Sequence, residues 1–533
     1  MKLSGLLFAA ALLGSCTQPA AEENYTRHVD PKIGTGGHGH VFVGANVPFG
    51  LVQVGPTSIP QTWDWCSGYH ASDSTVIGFS HTHLSGTGIG DLFDITVMPV
   101  VGEVTYARGE ENDPASGLWS YADRTREITK PGYYSVPLVR YGITAELTAT
   151  ERVGLHRYTF PASDAAAVVF DLENGGCWDK ATDTGFRFSD DSTRIAGWRC
   201  STGWAKNQEV YFVAEFSKPA KGISYLQPGE IDDSKMPRIA ARYARVDFDT
   251  AEGEQVLVKV ALSPVSIEGA KANLAAELPG WDFDATAAAA DKAWNDELSK
   301  VKIETEDETS KRIFYTALYH TMVAPSLFCD VNGDYRGADG KVHENPGRDT
   351  YTTFSLWDTY RAAMPLMTVL HPERMPDIIQ TMLHIADEQG RLPVWHLWGN
   401  ETDCMVGNPG IVAVADAIVK GIGGFDREKA FETIRKTAMN PDRGNGLRME
   451  YGYIPCEMFN EAVAYDMEYA LADGAAARAA EALGKAEDAK YFEERSHSYR
   501  NYFDPQTGFM RGRDSKKGWR TPFNAFASTH RAD

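Results

Sequence analysis

Two imidazoles stand two residues apart in His81-Thr82-His83. On an extended segment, side chains at i and i+2 share one face, so His81 and His83 are placed to share a metal ion or a substrate hydroxyl. The alternative is a pair of buried, hydrogen-bonded core histidines. The residues that follow, Ser85, Gly86, Thr87, Gly88, Gly90 and Asp91, are small and polar, which suits a pocket wall. A second segment, Thr62-Trp63-Asp64-Trp65-Cys66-Ser67-Gly68-Tyr69-His70, packs three aromatics and a carboxylate among turn residues. Flat rings with a polar tip suit either sugar stacking or a hydrophobic plug that holds a loop down. Trp65 is the candidate platform. Asp358, in Ser355-Leu356-Trp357-Asp358-Thr359-Tyr360-Arg361, falls in the first turn of an apolar helical run, where the helix dipole alone would favour a carboxylate. Glu401 and Asp403 stand two residues apart behind Trp395, His396 and Trp398. Carboxylates so placed suit hydroxyl binding or acid/base chemistry, or a solvated turn.

Other chemistries find no support. Gly34-Thr35-Gly36-Gly37-His38-Gly39 matches GxGxxG by letter. However, no strand–helix unit surrounds it, as a dinucleotide site requires. Asp330-Val331-Asn332-Gly333-Asp334 opens like a calcium loop, but Tyr335 and Lys341 stand where an EF-hand needs Gly and Glu, so a solvated turn is expected. GxSxG, HExxH and P-loop motifs are absent. With 52 Lys and Arg against 73 Asp and Glu, the net charge is −21, which repels phosphate backbones and excludes nucleic acid as a partner.

These residues must be positioned by more than one domain, because 533 residues exceed what a single core holds. Met1 to Cys16 carries one Lys and the apolar run Leu6–Leu13, too short to span a bilayer and fitting a signal peptide. Leu13-Gly14-Ser15-Cys16 resembles a bacterial lipobox, which implies lipidation of Cys16. No CxxC occurs among the remaining cysteines, so no zinc ribbon is expected. From Asn24 to Val265, short runs such as Tyr133–Val139, Ile143–Thr150, Leu155–Phe160, Ala166–Leu172, Val210–Phe216 and Gln255–Leu262 read as strands of an antiparallel sandwich. Ala285–Lys300 then reads as a connecting helix. Helical runs follow at Ile313–Met322, Ser355–Leu370, Ile378–Ile385 with Gly390 as its stop, Ile411–Ile422, Arg427–Ala438, Glu461–Leu483 and Ala486–Tyr502. Gly508–Asp533 reads as a polar segment without helix or strand.

Several segments together resemble glycoside hydrolase family 92, the bacterial exo-α-mannosidases. They are Val29–Thr35, Pro48-Phe49-Gly50, Trp63–His70, Phe79–Gly86, Ser355–Arg361, Gly399–Asp403, Gly508–Arg511 and Pro522-Phe523. The resemblance implies a multidomain β plus α protein. Its parts are a lipoprotein signal peptide (1–16), an antiparallel, supersandwich-like β-sandwich (24–270), a helical linker (280–304) and an incomplete (α/α)6 toroid (305–533). It also implies inverting hydrolysis of mannose-containing oligosaccharides or N-glycans with a bound calcium ion, while the Met1–Cys16 pattern points to an exported lipoprotein of the periplasm, outer membrane or cell surface. Inversion needs an acid and a base roughly 6.5–9.5 Å apart. The family's Glu-Gly-Asn acid segment, its base and most metal ligands are expected beyond Asp533. No catalytic residue is therefore assigned, and a fragment with lost hydrolysis is expected. By motif position, Trp65, His81, His83, Trp357, Asp358, Glu401 and Asp403 are the candidate substrate-binding residues. Two alternatives stand beside this reading: a non-catalytic, surface-tethered glycan-binding lipoprotein, and a different hydrolase using Glu401 and Asp403 as its own pair.

Overall fold

The computed structural model describes residues 23–187, 191–227 and 239–527; Cys16 and the signal segment lie outside the described residues. The alternating runs pair into two antiparallel sheets. One has six strands in the spatial order Gly55–Thr57, Gly78–Ser80, Thr96–Val101, Ser163–Asp171, Tyr243–Thr250 and Gly222–Leu226. The other has eight, from Lys180–Arg187 through Arg194–Thr202, Gln208–Phe216, Glu254–Ser263, Val153–Phe160, Ile143–Ala149 and Tyr133–Leu138 to Ile128–Lys130. Their inner faces meet through rings. Phe170 stacks on Phe212 at 5.9 Å, and Phe79 reaches Tyr134 and Tyr158 at 6.4 and 6.3 Å. This is the expected sandwich, closed by the apolar half of each alternating strand.

Helix α1 (Ile267–Glu277), absent from the sequence reading, caps one sheet. Ser266 Oγ starts it by accepting the Gly269 amide at 3.0 Å. Helix α2 (Phe283–Leu298) is the expected connector. Its Trp294 donates to the Asn46 carbonyl at 2.7 Å and packs on Tyr319 at 4.4 Å, tying sandwich to helices.

Among the described residues nine further helices follow: α3 (Glu308–His320), α4 (Leu356–Thr359), α5 (Ala363–Leu370), α6 (Met375–Gln389), α7 (Pro409–Val419), α8 (Arg427–Ala438), α9 (Asn445–Tyr451), α10 (Ala462–Ala482) and α11 (Ala486–Arg495). Gly390 ends α6 in the left-handed region, φ +91, as its place in the sequence predicts. The single helix expected over Ser355–Leu370 is instead broken into α4 and α5. Pro365 has no amide for the Arg361 carbonyl and its ring would clash there, so it is tolerated only in the first turn of a new helix. The run expected to reach Tyr502 ends at Arg495 and continues as a 3-10 turn, Ser498–Asn501. Phe509–Met510 pairs with Phe503–Asp504, so the polar C-terminal segment does contain a short strand.

Asp330 corrects the solvated-turn reading of its loop. It is 3% exposed and accepts from Ser263 at 2.9 Å and Asn273 at 2.8 Å, pinning the helical part to the sandwich. Burial pushes its carboxyl up to about 6.

Candidate active-site rim

Loops from both parts meet in a continuous belt. The Trp63 indole donates to the Gly88 carbonyl at 2.8 Å, Trp178 N donates to the Gly90 carbonyl at 3.1 Å, and Ala205 N donates to Asp91 at 2.9 Å. Trp204 then packs edge-on against Trp395 at 4.6 Å. Asn400 Nδ2 donates to the Asn207 carbonyl at 3.0 Å, while the Asn207 amide donates to Asn400 at 3.0 Å. The belt brings the Trp-rich turn of the sandwich and the Trp395–Asp403 hairpin to one seam. Cavities of 430 and 370 Å³ lie elsewhere among the described residues, one lined by Arg448, Tyr491 and Arg495, the other between α2 and Glu151.

The candidate residues divide sharply here. His81 is fully buried, with Nδ1 2.6 Å from the Ile95 carbonyl and Nε2 2.9 Å from His156 Nε2. His83 is also buried, with Nδ1 2.8 Å from the Gln53 carbonyl, while Phe42 and Phe93 lie 4.9 and 5.0 Å from its ring. Burial pushes these rings down to about 3 and about 4. Both are neutral core side chains, which corrects their expected place on a pocket wall. A Cβ at Gly68 would meet His83 Nε2 at 3.2 Å, so His83 supports the Trp-rich turn from beneath.

Trp65 is the plug of that turn. It stacks on His70 at 4.3 Å and donates to Asp73 at 2.7 Å. Trp63, 51% exposed, is the ring left open for stacking, and nothing in the sequence separated it from Trp65. Beside it, His38 Nδ1 and His40 Nε2 lie 2.6 and 3.2 Å from Asp64 Oδ1. The hydrogen bond to His38 holds the Asp64 carboxyl below its usual value.

The Gly34–Gly39 motif explains how the histidines arrive there. Gly34 is left-handed at φ +92, and a Cβ on Gly39 would collide with the Gly34 carbonyl oxygen. The loop therefore folds back on itself and projects His38 and His40. Gly39→Ala is expected to lower the unfolding free energy by about 1–3 kcal/mol, read as a lower urea midpoint; an unchanged midpoint would mean that the close approach is not maintained in solution.

On the helical side, Asp358 is exposed and accepts from Ser355 Oγ. The Trp357 ring lies under the Arg361 guanidinium at 4.6 Å, and its buried indole N–H has no hydrogen-bond partner among the described residues. Glu401 turns inward and accepts the amides of Val394, Trp395 and Asp403 at 2.8, 2.9 and 3.0 Å. Burial pushes its carboxyl up, but those amides and the Arg391 charge outweigh burial and leave it below its usual value. Asp403 is ion-paired with Arg391 and lies 3.6 Å from Arg443. Glu401 folds the hairpin, and both carboxylates are committed to protein donors. They do not form the acid/base pair of the alternative hydrolase reading.

Calcium does not fit the donor sets found among the described residues. It prefers cages of six to eight oxygens, whereas the two clusters of metal-capable side chains are His38, His40 and Asp64, and Glu297, His371 and Glu373.

Comparison with known proteins gives a consistent result. Residues 28–263 match the family model described as "Glycosyl hydrolase family 92 N-terminal domain", and residues 269–533 match the "Glycosyl hydrolase family 92 catalytic domain". A family GH92 alpha-mannosidase from Bacteroides thetaiotaomicron, solved in complex with mannoimidazole, is 39% identical. The match covers 94% of this chain and 67% of that one, with a TM-score of 0.90. A family GH92 inverting mannosidase from Bacteroides thetaiotaomicron VPI-5482 is 28% identical, covering 94% and 68%, with a TM-score of 0.83. An uncharacterized secreted glycosidase of Arthroderma benhamiae is 26% identical over 96% of this chain and 66% of its own length. The chain spans about two thirds of the length of these relatives.

Proposed function

The chain belongs to glycosyl hydrolase family 92, and from that premise we propose that its seam binds the terminal mannose of mannose-containing glycans for hydrolysis by an exo-α-mannosidase mechanism. The observation that carries this reading is the 39% identity, over 94% of this chain, to an alpha-mannosidase solved with mannoimidazole. Trp63, in the sandwich part, offers an exposed ring, and Asp358, in the helical part, an exposed carboxylate. Trp357, Trp65, His83 and the Glu401 hairpin hold these elements in place.

The proton donor and the water-activating base belong, in this proposal, to the third of the relatives' length that this chain does not span, because Glu401 and Asp403 are occupied by amides and guanidiniums. The proposal puts the calcium ligands in that same stretch, because both clusters of metal-capable side chains among the described residues include imidazoles where calcium prefers oxygen. General acid and base groups contribute roughly 10²–10⁴-fold each, so binding without appreciable turnover is expected from the chain alone. That outcome includes the glycan-binding lipoprotein reading as its non-catalytic limit.

Export with lipidation at Cys16 is part of the proposal, supported by the Met1–Cys16 pattern and by the secreted relative. Among the described residues no helix is long and apolar enough to cross a membrane.

Calorimetric titration with mannoimidazole tests the reading. Saturable binding is expected, weakened about 10-fold by Trp63→Ala through loss of ring contact. No heat, or equal binding of the gluco-configured analogue, would refute it.

A further inference from the structure

Two clusters among the described residues gather three metal-capable side chains. In one, the space between Glu297, His371 and Glu373 already holds a cation. Lys300 Nζ lies 2.8 Å from Glu297, 3.0 Å from Glu373 and 3.2 Å from His371 Nδ1. In the other, Asp64 pairs among the described residues with two imidazoles, His38 and His40, and no Lys or Arg takes the central place.

We propose that His38, His40 and Asp64 form a three-ligand site for a borderline transition-metal dication of the zinc class, with its remaining position open beside Trp63. The inference is independent of the glycosidase reading, since it rests on these side chains and their loops alone.

The donor set selects the metal. Two neutral imidazole nitrogens and one carboxylate oxygen suit zinc, nickel or copper, whereas calcium and magnesium require oxygen. Bonds of about 2.0–2.2 Å to a tetrahedral zinc place neighbouring ligand atoms roughly 3.3–3.6 Å apart. The three donor atoms already lie within 4.8 Å of one another. The His38–Asp64 contact of 2.6 Å must open by about 1 Å, and the His38 side chain, 76% exposed, is free to swing.

The remaining ligands are preorganised. His40 holds a left-handed backbone, φ +54, although it is not glycine; such a conformation costs roughly 1–2 kcal/mol and persists where its surroundings enforce it. Its carbonyl accepts the Gly86 amide at 2.7 Å, and its ring meets Trp63 edge-on at 4.3 Å. Asp64 lies in the Trp63–Trp65 turn, anchored by the Trp63 indole on Gly88. Glycine-rich backbone thus aims two imidazoles at one carboxylate, and the His38 ring otherwise meets the Trp63 and His40 rings at 5.5 and 6.5 Å.

The test is calorimetric titration of zinc chloride into the full chain, purified without a polyhistidine tag and stripped with EDTA. One equivalent is expected, and His38→Ala should weaken it at least about 100-fold, since even outer-shell changes cost 10–100-fold. The exposure of His38 keeps folding out of the question, and Asp64→Asn provides a second variant of nearly unchanged shape. Cobalt in place of zinc should show ligand-field bands without thiolate charge transfer, which sets the cysteines aside. Stoichiometric zinc bound equally by wild type and His38→Ala, absence of a zinc equivalent, or displacement of zinc by equimolar calcium would each overturn the proposal. Failure of mannoimidazole binding leaves this result untouched, and loss of zinc binding leaves the mannosidase reading untouched.

Discussion

Arg199→Met is expected to lower the unfolding free energy by about 3–5 kcal/mol, the loss typical of a buried ion pair deprived of one partner. Arg199 is fully buried in the strand Arg194–Thr202. It donates to Asp94 at 2.7 Å, to Asp179, and to the Leu172 carbonyl at 3.0 Å. Asp94 in turn accepts from Thr82 at 2.7 Å, so the guanidinium fixes the segment that places His81 and His83. Without it, two carboxylates remain in a core that cannot solvate them. Burial already raises the Asp94 carboxyl with the cation present, and removing the cation raises it further. A folded carboxyl raised above its unfolded value loses stability as pH rises, so the variant should be less impaired at pH 5 than at pH 8. Urea denaturation at both pH values checks this. A triple variant, Arg199→Met with Asp94→Asn and Asp179→Asn, should recover part of the loss. A single-variant change below about 1 kcal/mol would show that the triad is not closed in solution.

Acid should unfold the protein through its buried histidines. His81, His83, His156 and His396 are all at most 4% exposed. Burial pushes His81 down to about 3, His83 and His396 to about 4, and His156 well below its ordinary value. An unfolded histidine titrates near 6.5, so below that pH the unfolded chain gains protons that the folded chain refuses. Stability is therefore intact above about pH 6.5 and falls as pH drops toward the folded values. Asp91 and Asp330, raised to about 6 by burial, take up protons in the folded state and offset part of the effect. The net loss between pH 7.5 and 5.5 should be of order 3 kcal/mol. The midpoint of urea unfolding measures it directly, and a midpoint that holds or rises at pH 5.5 would contradict this account of the core.

The strands of the sandwich were legible because each buries one face, and alternation such as that of Ile143–Ala149 records that burial in the residue order. Helix α8 was legible to its ends, since Asp426 caps it by accepting from Glu428 and Lys429 and a single apolar stripe runs its length. The break between α4 and α5 was readable from Pro365 but lost in an otherwise continuous apolar run. The rim was harder. Trp63 and Trp65 share one turn, yet one is exposed and the other stacks on His70, a difference set by Asp73 and Gly88, eight and 25 residues away. Glu401 and Asp403 had the spacing of a working pair, but amides and arginines consume both.

Residue order alone determined the family and the two-part architecture, because burial patterns are local properties, whereas the Trp178–Asn207 stretch that completes the seam was not singled out. Only the tertiary structure decided which side chains remain available: Trp63, His38 and Asp64, with His40 buried against them, instead of His81, His83 and Trp65. Availability depends on the hydrogen-bond and packing partners that distant strands deliver, and the spacing of residues along one segment carries no record of those partners.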